Sequence, residues 1–181
     1  MKALKFLSVL ILGLMFVACN NEPSLQEYYV NNQENKEFVA LDLPASMLAN
    51  MESLDQNQRK TLETVKKVNL LAIPLKPENE SRIQEEKNNV NEILKNEKYQ
   101  LLMKFGMGET KVELYYTGDD EAVDEVILYG YDDNKGMGLA RVLGENMNPG
   151  DIMNLIKSME TGDIDLSGIQ GVSQIFTGID Q

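Results

Sequence analysis

Four short apolar runs lie between Tyr99 and Leu143, and a turn rich in Gly, Asp or Asn separates each run from the next. In the first run, Tyr99, Leu101, Met103 and Phe105 alternate with the polar residues Gln100 and Lys104. Strands at such short spacing, joined by turns of this composition, are typical of an antiparallel meander. The sequence therefore predicts a C-terminal four-strand meander whose first two strands turn one apolar face toward covering helices.

The third run, residues 123–131, differs from the others because apolar side chains point to both sides of the strand. One side holds Val126 and Leu128, and the other holds Ile127 and Tyr129. Since successive side chains of a strand point to opposite faces, either this strand is buried on both faces or its second face is a binding surface.

The remaining chain alternates between helical spacing of apolar residues and short continuous apolar runs. Predicted helices cover residues 25–32, 45–51, 78–96 and 149–159, and predicted strands cover residues 38–43 and 68–73. Residues 54–60 fit either a helix or a loop. We therefore expect an α+β fold: an antiparallel sheet of five or six strands with helices packed mainly on one face. A single domain is expected over residues 25–160, followed by a tail at 161–181 that forms a short helix or stays loosely ordered.

The N-terminal residues have a different pattern from the rest of the chain. Lys2 and Lys5 supply a basic start, residues 6–17 are almost wholly apolar, and Ala18 precedes Cys19, the one cysteine of the sequence. About a dozen apolar residues is too short a run to cross a hydrocarbon core of ~30 Å. The pattern therefore predicts a signal peptide and not a membrane span.

This arrangement resembles the signal of bacterial lipoproteins. The resemblance implies cleavage after residues 1–18, a diacylglycerol on the Cys19 sulfur, and a fatty acid such as palmitate on the new amino group. Because each buried methylene contributes about 0.8 kcal/mol, these chains would hold the protein on a bilayer, with residues 19–24 as a tether. The outer membrane is the expected one. The alternative is an ordinary signal before a buried cysteine, although a lone cysteine in an exported chain has no disulfide partner.

Charge and composition exclude several classes of function. The formal net charge is −12, and removal of residues 1–18 takes away two lysines to give −14. Phosphate backbones and anionic lipids would repel such a protein, so no nucleic-acid partner is expected. The chain has no histidine and a single cysteine, which excludes Ser-His-Asp and Cys-His catalysis and the usual zinc sites. No cofactor is expected, and the core must depend on apolar burial without internal disulfides.

The segment from Asn146 through Asn148, Pro149 and Ile152 to Leu155 is a pattern for entering a helix. Together with the lipoprotein signal, the strand and helix half, and the meander, it resembles a family of small Bacteroidota envelope lipoproteins, the domain of unknown function 4252 family. The resemblance covers roughly residues 25–160. It implies an α+β fold and a location in the cell envelope, and it supplies no active-site residues.

A calcium loop is a weak candidate near the C-terminus. Asp163, Asp165, Ser167 and Gly168 match the first half of a calcium-binding loop, but Gln174 stands where a bidentate glutamate is needed. A helix cap made by Asp165 or Ser167 explains the same residues better. We therefore predict no metal site there.

Acidic residues also cluster at the predicted hairpin tips, at 119–121, 124–125 and 132–133. Two carboxyls about 5–10 Å apart in a cleft could hydrolyse a glycosidic bond, but acids at turns are ordinarily solvated. The chain also has no tryptophan to line a sugar cleft. We expect the protein not to be an enzyme.

Three tyrosines, Tyr115, Tyr129 and Tyr131, fall on the predicted meander. They form either an aromatic patch for a peptide, glycan or lipid, or part of the core, since tyrosine packs well in strands. The core interpretation is favoured.

These patterns predict a lipid-anchored envelope lipoprotein that acts as a non-catalytic binding module. Its expected partners are the membrane, through the anchor, and an envelope protein that meets a sheet face or an edge strand. The alternative is an accessory glycan-binding or carboxylate-dependent hydrolytic protein that uses the hairpin acids and the tyrosines.

Overall fold

The computed structural model describes residues 22–107, 109–120 and 122–160. Within these residues the chain forms four α-helices, six β-strands and a short 3-10 turn at Ala45–Met47. The helices are α1 (Leu25–Asn32), α2 (Gln56–Thr64), α3 (Glu80–Leu94) and α4 (Pro149–Glu160). The strands are β1 (Val39–Pro44), β2 (Val65–Pro74), β3 (Gln100–Met107), β4 (Thr110–Asp119), β5 (Ala122–Asp132) and β6 (Gly136–Met147).

All six strands belong to one sheet in the order β1-β2-β6-β5-β4-β3, and every neighbouring pair is antiparallel. Strands β3 to β6 follow one another both in sequence and in space, so the predicted four-strand meander is confirmed. The N-terminal hairpin of β1 and β2 joins the meander when β2 pairs with β6. The predicted α+β fold with an antiparallel sheet of five or six strands is also confirmed.

Local sequence explains where the helices begin. The Asp55 side chain accepts hydrogen bonds from the first turn of α2, and Gln58 completes a capping box. The Asn148 side chain accepts a hydrogen bond of 3.1 Å from the Asp151 N–H, and Pro149 is the first residue of α4. The Asn148–Pro149 start predicted from the sequence is therefore confirmed.

Two segments before β2 differ from their predicted form. The predicted helix over residues 45–51 is reduced to the 3-10 turn at Ala45–Met47, and Met47 and Met51 are exposed. Residues 54–60, which fit either a helix or a loop, include the capping aspartate and the start of α2. The regular helix therefore forms where a capping box stabilises its start.

Buried apolar residues form two clusters, one on each face of the sheet. The first cluster packs α1 and α3 on Leu71, Ile73, Ile127, Tyr129 and Leu139. The second packs α2 and α4 on Val68, Leu114, Val126 and Val142. The structure thus carries two helices on each face, whereas the sequence analysis placed helices mainly on one face.

Strand β5 gives the physical reason for this correction. Val126 belongs to the second cluster and Ile127 and Tyr129 to the first, and all three side chains are 0% exposed. Because alternate side chains of a strand point to opposite faces, a strand that is apolar throughout needs cover on both sides. Of the two interpretations of the third run, burial on both faces is the one that the structure shows.

Helix α1 is attached to the first cluster through polar as well as apolar contacts. The Tyr28 hydroxyl donates a 2.7 Å hydrogen bond to the carboxylate of Glu86 on α3, which is 2% exposed. Arg82 forms an ion pair with the same carboxylate, and Asn89 donates a further hydrogen bond to it. A buried carboxylate is tolerated only when it is paired and hydrogen-bonded, so these contacts fix α1 against α3.

We expect Tyr28→Phe to lower the free energy of unfolding by about 1.5–3 kcal/mol, because a buried carboxylate loses a hydrogen-bond donor. The measurement is urea denaturation of the mature chain. Tyr29→Phe is the matched control, because the Tyr29 hydroxyl donates a 3.3 Å hydrogen bond to the carboxylate of the exposed Asp42. The loss of this bond should lower the free energy of unfolding by under about 1 kcal/mol. Equal losses in the two variants would contradict the role given to Glu86.

Candidate functional site

The three tyrosines predicted as candidate binding residues lie on one face of the sheet, but they do not form an exposed aromatic patch. Tyr115 and Tyr129 are buried in the first cluster, and Tyr131 is partly buried against it. The ammonium groups of Lys87 and Lys111 lie 4.6 Å and 5.5 Å from the centroid of the Tyr131 ring. This placement agrees with the core interpretation that the sequence analysis favoured.

The environment of these tyrosines changes their acidity. Burial and a hydrogen bond to Glu113 raise the pKa of Tyr115 well above its usual value, and burial also raises the pKa of Tyr129. Burial would raise the pKa of Glu113, but hydrogen bonds from Lys104 and Tyr115 outweigh it and lower that pKa. The Tyr129 hydroxyl is buried without a hydrogen-bond partner in the described part of the chain.

The acids at the hairpin tips do not converge. Asp119, Asp120 and Asp124 are exposed at one end of β5, whereas Asp132 and Asp133 lie at the other end. Eight residues of strand separate Asp124 from Asp132, which corresponds to roughly 26 Å. A carboxylate pair for glycoside hydrolysis needs a separation of about 5–10 Å, so these two sets cannot form one.

Four of the described acids in these clusters have structural partners, and two of them, Asp120 and Asp133, are bonded to Tyr116 and Lys87. Asp132 accepts hydrogen bonds from the Thr110 hydroxyl at 2.6 Å and from the Asn134 N–H at 2.8 Å, and these lower its pKa. Glu125 forms a largely buried ion pair with Arg141. Among the described residues, no group of three or more acidic or cysteine side chains is placed to hold a metal ion.

Several predicted sites lie outside the described residues. These are the signal peptide at 1–18, the lipidation site Cys19, Glu121 of the first acidic cluster, the weak calcium candidates Asp163, Asp165 and Ser167, and the tail at 161–181. Within the described ranges, no helix combines the length and the apolar character needed to cross a membrane.

The two edge strands of the sheet differ in how they meet solvent. On β1, Asp42 and Pro44 are exposed, and Lys67 of β2 lies 3.9 Å from Asp42. Charged residues and proline at an edge discourage pairing with another chain. On β3, by contrast, Leu101, Leu102 and Met103 are 47%, 42% and 41% exposed. We call these three consecutive residues the β3 strip.

A β-bulge explains the exposure of the β3 strip. Leu101 pairs with Tyr115 and Met103 pairs with Leu114, so Leu102 is an extra residue that shifts the register. Leu101 and Met103 consequently lie on opposite faces, although simple alternation predicts one face for both. The sequence signal that could have indicated this is the unbroken run Leu101-Leu102-Met103, which does not fit a strand with one buried face.

A polar groove lies between α2 and α4, and we call it the α2–α4 groove. Its volume is about 530 Å³. Its lining includes the amides of Asn57, Gln58, Asn146, Asn148 and Asn154, the hydroxyls of Thr61, Thr64 and Ser158, and the charged groups of Asp55, Lys60 and Asp151. Within the described part of the chain, its lining contains no aromatic residue.

Some of these side chains are occupied by the helix caps, and others are not. Asp55, Gln58 and Asn148 form the cap hydrogen bonds of α2 and α4. No hydrogen bond engages the side chains of Asn57 and Asn154 within the described residues. Asn146 has a positive φ of 52°, a left-handed conformation that asparagine tolerates better than most residues. The groove therefore offers amide donors and acceptors to a partner, and no sequence periodicity signalled it.

Comparison with known proteins adds one finding. A family model, the domain of unknown function DUF4252, matches residues 28–155. The chain belongs to this family. The match runs from Tyr28 in α1 to Leu155 in α4, so the DUF4252 region includes the whole sheet and all of the described groove lining except Ser158. Searches of the curated proteins and of the solved structures found no match.

The buried tyrosines predict how this DUF4252 protein responds to alkaline pH. Tyr28, Tyr115 and Tyr129 have raised pKa values in the folded protein, mainly because of burial, and burial raises the pKa of Tyr29 to about 12. In the unfolded chain, tyrosine ionises near ~10. Above that pH the unfolded chain releases protons that the folded chain retains, so stability should fall as pH rises.

The measurement is urea denaturation at pH values from neutral to above ~10, alongside tyrosinate absorbance. We expect Tyr28, Tyr115 and Tyr129 to ionise only as the fold is lost, because burial raises their pKa values. Ionisation of all seven tyrosines in one step near ~10, with the fold intact, would contradict the burial described above.

Proposed function

We propose that this protein is a lipid-anchored lipoprotein of the bacterial cell envelope, with the outer membrane as the favoured location. The support lies in the N-terminal sequence, where a basic start and a short apolar run precede Ala18 and Cys19. Only three positions separate Cys19 from Glu22, the first described residue. The Glu22 carboxylate accepts a hydrogen bond from Asn96, so the chain already contacts the folded body within the tether predicted at 19–24.

We further propose that the protein is a non-catalytic binding module. The observation that carries this proposal is the α2–α4 groove, a concave surface in which the Asn57 and Asn154 side chains form no hydrogen bond within the described residues. Both faces of the sheet are covered by helices, and Asp124 and Asp132 lie too far apart for joint chemistry. Among the described residues, the groove is a concave polar surface open to a partner.

A segment of an envelope protein is the partner that suits this groove best. Lys60, Asp55 and Asp151 give it charges of both signs, and the asparagine amides can pair with the N–H and C=O groups of a peptide. Sugar sites usually present an aromatic ring as well, and no described aromatic residue lines this groove. Glycan binding is the second candidate, favoured by the amides and hydroxyls that would pair with sugar hydroxyls.

The anchor is tested by Cys19→Ser. We expect this variant to lose incorporation of labelled palmitate and to move from the membrane pellet to the soluble fraction after cell breakage, because a lone thioether is the attachment point. Asn21→Ser is the matched control and should keep both properties. Unchanged palmitate labelling in Cys19→Ser would contradict the lipid anchor.

The groove is tested with a photo-crosslinking amino acid placed at Asn154 in cells that express the full chain. We expect a discrete adduct from this position that Asn57→Leu abolishes or strongly weakens, because that change replaces an amide in the groove. The control position is the exposed Glu34, after α1. Sensitivity of the adduct to a protease or to a glycan hydrolase separates the two candidates, and identical adducts from both positions would contradict the groove.

A further inference from the structure

The point at which the tether reaches the folded body lies beside the start of β3. The Leu25 N–H donates a 3.0 Å hydrogen bond to the Tyr99 hydroxyl, and Glu22 accepts one from Asn96. Tyr99 immediately precedes β3. Three residues span at most about 10 Å, so a lipid on Cys19 would keep this part of the surface close to the bilayer.

The β3 strip begins two residues beyond Tyr99. Its three large apolar side chains are each more than two-fifths exposed, and they project on both sides of the sheet edge because of the bulge. An exposed and contiguous apolar surface indicates contact with something apolar. The short tether brings this surface to the membrane.

The bulge helps to decide whether the β3 strip contacts another β-strand or a bilayer. An added strand, whether from another protein or from a second copy, needs a regular row of backbone groups along the edge. Between Leu101 and Met103 the bulge breaks that row where the apolar side chains are most exposed. A bilayer needs no backbone pairing, so it fits an edge of this shape better than a strand does.

Charges around the strip restrict the kind of lipid. Lys98 and Lys104 flank it, but the Lys104 ammonium is paired with Glu113 and the Lys98 ammonium lies 4.9 Å from the centroid of the Tyr99 ring, so both already have partners on the protein. Gln100 donates a hydrogen bond of 3.3 Å to the Gly118 carbonyl, which places the exposed acids Asp119 and Asp120 at the same end of the sheet. These acids would be repelled by anionic headgroups.

We propose that the β3 strip is a second membrane contact, which inserts into the interface of a zwitterionic bilayer beside the lipid anchor and so fixes the orientation of the domain. This inference rests on the proposed lipid anchor. A chain held by its lipid alone could turn freely about the tether. With the strip inserted, the β3 edge faces the bilayer.

The test places an environment-sensitive fluorophore on a cysteine at position 102. Cys19 is the one natural cysteine and its thiol is blocked in the lipidated chain, so Leu102→Cys supplies the single reactive thiol. Met47→Cys is the matched control, because Met47 is 48% exposed and follows β1 at the opposite edge. The lipidated full-length mature chain is reconstituted in phosphatidylcholine vesicles. We expect a severalfold rise in emission, quenched by spin-labelled acyl chains, at position 102 and not at position 47.

A second arm separates the strip from the anchor. The Cys19→Ser chain carries an N-terminal polyhistidine tag and is held on the same vesicles by a nickel-chelating lipid, which is selective because the chain has no histidine. If the lipidated preparation fails to float with vesicles, the anchor proposal fails. The nickel-held chain still tests whether the β3 strip inserts into the bilayer. Insertion of the label at position 102 supports the inference. Adding anionic phosphatidylglycerol to the vesicles should weaken that insertion.

Two results would overturn the inference. The first is a vesicle-bound chain whose label at position 102 stays as water-exposed as the label at position 47. The second is a rise at position 102 that depends on the surface density of the protein and not on spin-labelled lipid, which would indicate pairing with a second copy. Leu102→Ser, labelled at the neighbouring Leu101→Cys, should lose part of the quenching if the strip inserts as a unit.

Discussion

Strands β5 and β6 are buried on both sides, and the rest of the fold follows from the need to cover them. Side chains such as Val126 and Ile127 point to opposite faces and are both fully buried. A chain with one cysteine cannot use an internal disulfide, so apolar burial must stabilise both layers. Two pairs of helices provide that cover, one pair on each face.

Helix α1 links this core to the N-terminal tether, and polar contacts add to the burial of its apolar side chains. Gln26 accepts a 2.9 Å hydrogen bond from Arg141, whose guanidinium also pairs with Glu125. Taking such charges out of water costs free energy that their attraction only partly returns. These contacts therefore serve to hold α1 in one position on the sheet more than to add stability.

The cover on both faces limits where a partner can bind. One edge of the sheet carries Asp42 and Pro44, and the other carries the β3 strip beside the tether. The α2–α4 groove lies on the face away from α1, between two capped helices. Lipid contact at the β3 edge and partner binding in the groove would use separate surfaces, so the protein could present the groove to a partner while its edge rests on the membrane.

The sequence by itself determined the meander and the start of α4, because alternation, turn residues and caps such as Asn148 and Pro149 act between near neighbours in the chain. It also favoured Tyr115 and Tyr129 as core residues, since strand tyrosines usually pack.

Only the tertiary structure decided that helices cover both faces, that a bulge exposes Leu102, and that α2 and α4 enclose a polar groove. These features depend on pairings between distant segments, such as β2 with β6. The pairings that form are those that let the whole chain bury the most apolar surface. A pattern within one segment of the sequence does not show this total.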